Sequence, residues 1–308
     1  MRQNLLVSAA AAGLLLLAAC DFEDFNGERF SRDFHYSFSL KPNGRLAVES
    51  FNGSIEISGW DQDSVDIAGT KYGPTQESAD SLHIETSNTP EAVTVRAIRP
   101  SQRHNNLGAR FVIKVPRSAV LDRITTSNAS IRIMDGAGPS RLRTSNGSIR
   151  VQDLRGSVDA QTSNASVELI GVEGDAIAHS SNGHIHAEDL RGGLDATTSN
   201  AGVNARIARA GRGVRIETSN GGVELTLPDG LGGDVRVNTS NSGITVRLPG
   251  SVNARVQAHT SNSSISTDFD VKMHGEIGKN HLEGEIGSGG GPLIDLATSN
   301  GGIHLMKM

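Results

Sequence analysis

The chain has 308 residues, 36 of them glycine, with 36% hydrophobic but only 4% aromatic residues. Its formal net charge is -5, from 29 basic and 34 acidic residues, and no lysine- or arginine-rich run occurs, which excludes the electrostatic footprint of a nucleic-acid binder. Val, Ile, Leu and Ala without large rings suit thin, regular layers better than a bulky globular centre.

In chain order, the first element is "MRQNLLVSAAAAGLLLLAAC". A basic residue, an apolar run too short to span a membrane, and small residues before a cysteine form an export signal. Leu17-Ala18-Ala19-Cys20 resembles the bacterial lipobox, which implies cleavage after residue 19 and lipidation of Cys20. Cys20 is the only cysteine, so no disulfide forms within one chain. Asp21 resembles an inner-membrane retention signal, and residues 20–33 read as an acidic tether. The expected division is a signal peptide over 1–19, the tether over 20–33, and one domain over 34–308. Within that domain, 34–116 and 268–308 are irregular caps around the regular stretch 117–267.

The chain carries a repeat of T-S-N type, most regular within 117–267. Its asparagines are Asn52, Asn88, Asn128, Asn146, Asn164, Asn182, Asn200, Asn220, Asn241, Asn262 and Asn300, and from Asn128 to Asn200 the period is 18 residues without a slip. Apolar pairs lie six and four residues before the asparagine (Val158 and Ala160, Val214 and Ile216) and three and five after it (Ile149 and Val151, Val223 and Leu225). Alternation with polar neighbours marks strands with one buried face. Two short strands and two turns cannot bury their faces alone, whereas stacked coils can. Consecutive hairpins of a β-sandwich would not place one residue type at one corner in every unit. The expectation is an all-β parallel β-solenoid of 18–21-residue coils, 13 or 14 in number and about 60 Å long at ~4.8 Å per coil. Parity places the Thr and Asn of each corner inward and the Ser outward, with the asparagines forming a hydrogen-bonded ladder. Asparagine also suits a left-handed corner, and glycine follows it at Gly53, Gly147, Gly183, Gly221 and Gly301.

"RFVIKVPRSAVLDRITTSNASIRI", the repeated "TSNGSIRVQDLRG" units and "GEIGSGGGPLIDLATSNGGIHL" resemble the bacterial family of extracytoplasmic domains named putative adhesins. The resemblance runs from about Arg45 to Met308. It implies a right-handed β-solenoid and no catalytic motif, cofactor or site.

The residues themselves offer little chemistry. An outward column runs Arg132, Arg150, Glu168, His186, Asn204, Glu224, which reads as a solvated charge ladder. Paired carboxylates of the glycosidase kind do not recur in register. His184, His186 and Glu168, with His179 nearby, have the donor types of a zinc site, set against ordinary polar strand surface. Asp135, Asp153 and Asp189 open equivalent turns and need no calcium to explain them. Trp60 fits core or cap packing better than a sugar platform. The expected function is a non-enzymatic, cofactor-free, lipid-anchored scaffold of the cell envelope that meets an envelope protein or a glycan. The alternatives are a periplasmic protein-binding partner in envelope signalling and a carbohydrate-active β-helix enzyme.

Overall fold

The computed structural model describes residues 30–100, 106–274 and 278–308. The expected export signal, Cys20, Asp21 and the tether up to residue 29 lie outside the described residues. Two sheets of 13 and 14 strands face one another and are joined coil by coil. In the repeat, each T-S-N corner connects a strand of one sheet, such as Val158–Gln161, to a strand of the other, such as Val167–Glu173. Successive coils pair in parallel with equivalent residues opposite, Ile149 against Val167 and Val167 against Ile185. The fold is therefore the β-solenoid expected from the periodicity.

The alternating apolar residues fill a single core between the sheets. Ile149, Val151, Val167 and Leu169 are buried on one sheet, and Ala160, Ala178 and Ala196 lie buried on the other. Small alanines let the layers approach, so few rings are needed. In each 18-residue coil the longer strand then breaks its own alternation. Asp135, Asp153, Gly171 and Asp189, 18 residues apart, adopt a left-handed backbone with φ of 51 to 63°. This inserts one residue and turns Leu154, Val172 and Leu190 back into the core. The aspartate column is thus explained by backbone geometry. The left-handed residues are these aspartates and not the corner asparagines, none of which has positive φ.

Eleven strands of each sheet form coils, fewer than the sequence suggested, because the outermost strands run antiparallel and act as caps. The stack is about 50 Å long at ~4.8 Å per coil. Phe30–Ser39 closes one sheet, pairing antiparallel with Ser64–Gly73. Phe34 packs edge-on against Phe111 at 5.5 Å. A single helical turn and a half, Gln76–Ser81, follows; sequence periodicity missed it because six residues carry no 3.6-residue pattern. Thr75 and Ser78 form its capping box. At the other end, His281–Ile286 pairs antiparallel with Ala254–Thr260, and Val271–Met273 adds outside it. Such caps stop edge-to-edge growth of the sheets.

Both ends also thread out of sequence order. The coil ending in Gly108–Pro116 lies outside the coil of Ile55–Trp60. The final coil, Leu293–Thr298 and Ile303–Lys307, inserts between Ile244–Leu248 and Ile265–Thr267. Residues 268–308 therefore supply both a cap and a regular inner coil.

At the corner three ladders run side by side. The buried threonine hydroxyl donates to a carbonyl of the preceding coil, as Thr162 does to Gly147 at 2.8 Å and Thr198 to Gly183 at 3.1 Å. The backbone N–H groups of Ser163 and Asn164 both donate to Ser145 O. Each asparagine amide donates to the side-chain carbonyl of the asparagine one coil nearer the amino-terminal cap. In spatial order the ladder is Asn52, Asn128, Asn146, Asn164, Asn182, Asn200, Asn220, Asn241, Asn300, Asn262, with distances of 2.5 to 2.8 Å. Asn52 ends the row by donating to Leu107 O at 2.9 Å.

Two expectations are corrected here. Asn88 is not in the ladder: it lies in the antiparallel edge strand His83–Thr89, opposite Val93. The ladder asparagines face outward except the half-buried Asn52, and only the first residue of a triplet, threonine or Ser180, is inside. The chain bends at the serine, so strand parity does not carry through the corner.

The residue after the asparagine alternates along the stack: Gly53, Ala129, Gly147, Ala165, Gly183, Ala201, Gly221, Ser242, Gly301, Ser263. At Gly147, Gly183 and Gly221 a Cβ would stand 1.8 Å from the carbonyl oxygen of the alanine one coil below. At these corners the glycine N–H turns to its own coil's hydroxyl, 2.9 Å from Gly183 N to Ser180 Oγ. We expect Gly183→Ala to cost about 2–3 kcal/mol or more, because stacked backbone cannot yield. Ala165→Gly, which only adds chain freedom, should cost about 1 kcal/mol or less. Urea unfolding of the two variants checks this asymmetry. Asn164→Ala removes two ladder bonds at an exposed corner, and the same assay should show a loss of about 1–2 kcal/mol.

Candidate functional site

The outward side chains of the coils form columns perpendicular to the strands, and most charges in them are neutralised by neighbours. On the first sheet, Arg150 and Glu168, adjacent in register, pair at 3.2 Å. His186, next in the column, turns instead towards Glu188 at 3.5 Å. His184 and His186 line a shallow groove of about 470 Å³ with Asn204, Glu224 and Thr245, and Glu168 is not part of it. His179 lies on the opposite sheet. The zinc donors grouped by sequence are therefore divided between an arginine pair, a groove and the other face. Among the described residues no three His, Cys, Asp or Glu side chains converge.

Trp60 is half-buried near the amino-terminal cap. Its indole N–H donates to Ser64 O at 2.8 Å, and Lys114 Nζ lies 5.7 Å from the ring centroid. The ring is thus used in packing and under a lysine. Gly287, Gly289 and Gly290 of the glycine-rich stretch have positive φ and form tight turns.

The second sheet carries the more developed surface feature. Its outward column, fixed by the parallel register, reads Arg141, Asp159, Ile177, Asp195, Arg215, Arg236, Asp295. Beside it the turns recede, because Gly193 and Gly213 have no side chains to fill the strand entrances. The result is a trough along the long axis. One part, about 250 Å³, is lined by Asp122, Arg141 and Asp159; the next, about 410 Å³, by Asp195, Arg215, Arg236 and Asp295. Asp175 and Ile177 border both, so the two parts adjoin along the stack.

The turn-side wall is held firmly. Asp175 accepts from Gly193 N at 2.9 Å and pairs with Arg212 at 3.0 Å. Asp234 accepts from Leu293 N at 2.8 Å. At the flanks of the column, Asp159 is taken up by Arg143, and Arg236 pairs with Asp295 at 3.0 Å. The centre differs. Ile177 is 43% exposed, and Asp195 has no ion pair among the described residues. Sequence patterning placed these residues outward but could not show a trough, since the recess comes from backbone turns. The glycines at 193 and 213 were the available signal.

No family model matches the chain, and no curated protein does. Among solved structures it is similar to a putative cell adhesion protein of Clostridium sporogenes, at 12% identity and TM-score 0.29, covering 90% of this chain and 100% of that one. It is also similar to a putative adhesin of Bacteroides fragilis, at 14% identity and TM-score 0.28, covering 89% and 97%. A putative lipid binding protein of Parabacteroides distasonis gives 13% identity and TM-score 0.31, covering 91% and 97%. At these TM-scores the likeness transfers neither activity nor site, and the fold rests on strand register alone.

Ile177 and Asp195 make no contact that holds the coil together. Ile177→Glu and Asp195→Arg should each leave unfolding free energy within about 0.5 kcal/mol of the parent, as measured by urea titration. They are clean surface probes.

Proposed function

We propose that the protein is a non-enzymatic, adhesin-like scaffold of the bacterial envelope, anchored through lipid on Cys20. Its recognition surface is the trough of the second sheet, which takes an extended chain, protein or glycan, lying along the stack. The observation that carries this reading is the pair of recesses adjoining across successive coils, with the exposed Ile177 between them and Asp195 without an ion pair among the described residues. A rigid recess repeated at the coil spacing favours a linear partner over a small molecule, which needs an enclosed pocket with convergent polar groups. The non-enzymatic reading draws support from the carboxylates. Glu168, Asp159, Asp175 and Asp295 are each engaged by an arginine instead of converging in pairs around one point, as acid–base hydrolysis of a glycan requires.

A solenoid suits such a role because its stability is shared between neighbouring coils and its outer columns change freely. An amino-terminal anchor and tether would attach at the capped end that begins with Phe30, leaving the long faces accessible.

Two measurements test the proposal. Cys20→Ala should move the protein from the membrane fraction to the soluble fraction; retention in the membrane would remove the lipid anchor. Envelope material retained by the immobilised protein should be lost with Ile177→Glu and Asp195→Arg but kept with His186→Ala on the opposite sheet. Equal retention by all three variants would exclude the trough. Protease digestion of intact cells then distinguishes surface adhesion, where the rod is cut, from a periplasmic partner, where it is protected until the outer membrane is opened.

A further inference from the structure

The carboxy-terminal cap brings together histidines that are far apart in sequence. His259 and His281 stand directly opposite each other on the antiparallel strands Ala254–Thr260 and His281–Ile286. Thr260 N donates to Asn280 O at 3.0 Å, so residues 260 and 280 form the hydrogen-bonded pair. His259 and His281 are then the non-hydrogen-bonded pair, the closer kind, with Cα atoms about 4.5 Å apart. Their ring centroids are 6.3 Å apart. On the other side of His259 the neighbouring strand offers only Ala297, which leaves the imidazole room to turn.

Glu283 projects from the same face, two residues along from His281, and its carboxylate is 3.8 Å from His281 Nε2. The backbone N–H of His274 donates to Glu283 O at 2.9 Å, and the His274 ring lies 3.8 Å from Glu285. Three of the chain's ten histidines thus lie at the antiparallel edge of the second sheet. No arginine ion pair competes for Glu283 among the described residues, in contrast to Glu168 beside Arg150.

We propose that His259 and His281 chelate one divalent transition cation of the zinc, copper or nickel type, with Glu283 as the third donor. Imidazole nitrogens with one carboxylate suit these ions, at nitrogen–metal distances of about 2.0–2.1 Å for zinc. The two rings reach one point by rotation about their side-chain bonds, and all three side chains are half-exposed, so nothing packed against them has to move. The three donors do not converge before the ion arrives. The cation therefore draws the side chains in, pinning the cap strand His281–Ile286 to the coil strand Ala254–Thr260. The site lies at the opposite end of the stack from Phe30.

The test is titration of the untagged, metal-stripped chain with Zn²⁺ alone, followed by calorimetry, with thermal unfolding as a second readout. One saturable ion per chain is expected, together with a higher unfolding temperature. His259→Ala and His281→Ala should each abolish both effects, Glu283→Gln should weaken binding, and His184→Ala with His186→Ala should change nothing. Far-ultraviolet circular dichroism verifies that the variants keep their sheets. Absence of saturable binding at equimolar Zn²⁺, or binding that survives in both His259→Ala and His281→Ala, overturns the proposal.

Discussion

The corner carbonyl that meets the next coil's α-carbon is the constraint on which this architecture depends. Parallel coils repeat at the hydrogen-bonding distance of a sheet, and at a sharp corner that leaves no room for a Cβ at every level. The chain resolves the conflict by alternating two corners. In one, glycine yields space and its N–H turns to its own coil's hydroxyl; in the other, alanine or serine is accommodated. The structural repeat is therefore two coils, although the sequence motif repeats every coil.

That pairing also accounts for the threading at the far end. In sequence order the residues after the last asparagines are Ser242, Ser263 and Gly301, which would set two bulky corners together. In spatial order they are Ser242, Gly301 and Ser263, and alternation is restored by inserting the final coil inside the preceding one. The same rule separates Asn88 from the ladder, because Thr89 follows it where either glycine or a small residue is required. Glycine placement thus encodes coil neighbours, and the triplets alone do not.

Much of the fold was legible because it depends on periodicity. The buried partners Ile149, Val151, Val167 and Leu169 follow from alternation, as does the parallel stacking that superimposes them. What was not legible depends on departures from periodicity. Parity counted through the corner put the asparagines inside, whereas the bend at the serine sends them out. Parity counted along the strand missed the left-handed Asp153, which returns Leu154 to the core. The antiparallel caps and the short helix were likewise hidden, since neither repeats. The same limit applied to the surface. His184, His186 and Glu168 were grouped by nearness in sequence and in register, but Arg150 engages the glutamate and Glu188 the histidine.

The two ends and the body divide the chemical labour accordingly. Within the body, most charged side chains neutralise a neighbour and the corner side chains close ladders, so new function there comes chiefly from shape, as in the trough where Gly193 and Gly213 withdraw around Asp195. At the caps the repeat stops, strands turn antiparallel, and side chains from distant segments meet directly across a pair. His259 and His281 do so across 22 residues of sequence, in a setting where no stacked coil repeats either of them. A solenoid body selects for sameness between neighbours, because every column must tolerate its own image one coil away. Its caps are free of that requirement, and discrete sites are to be sought there first.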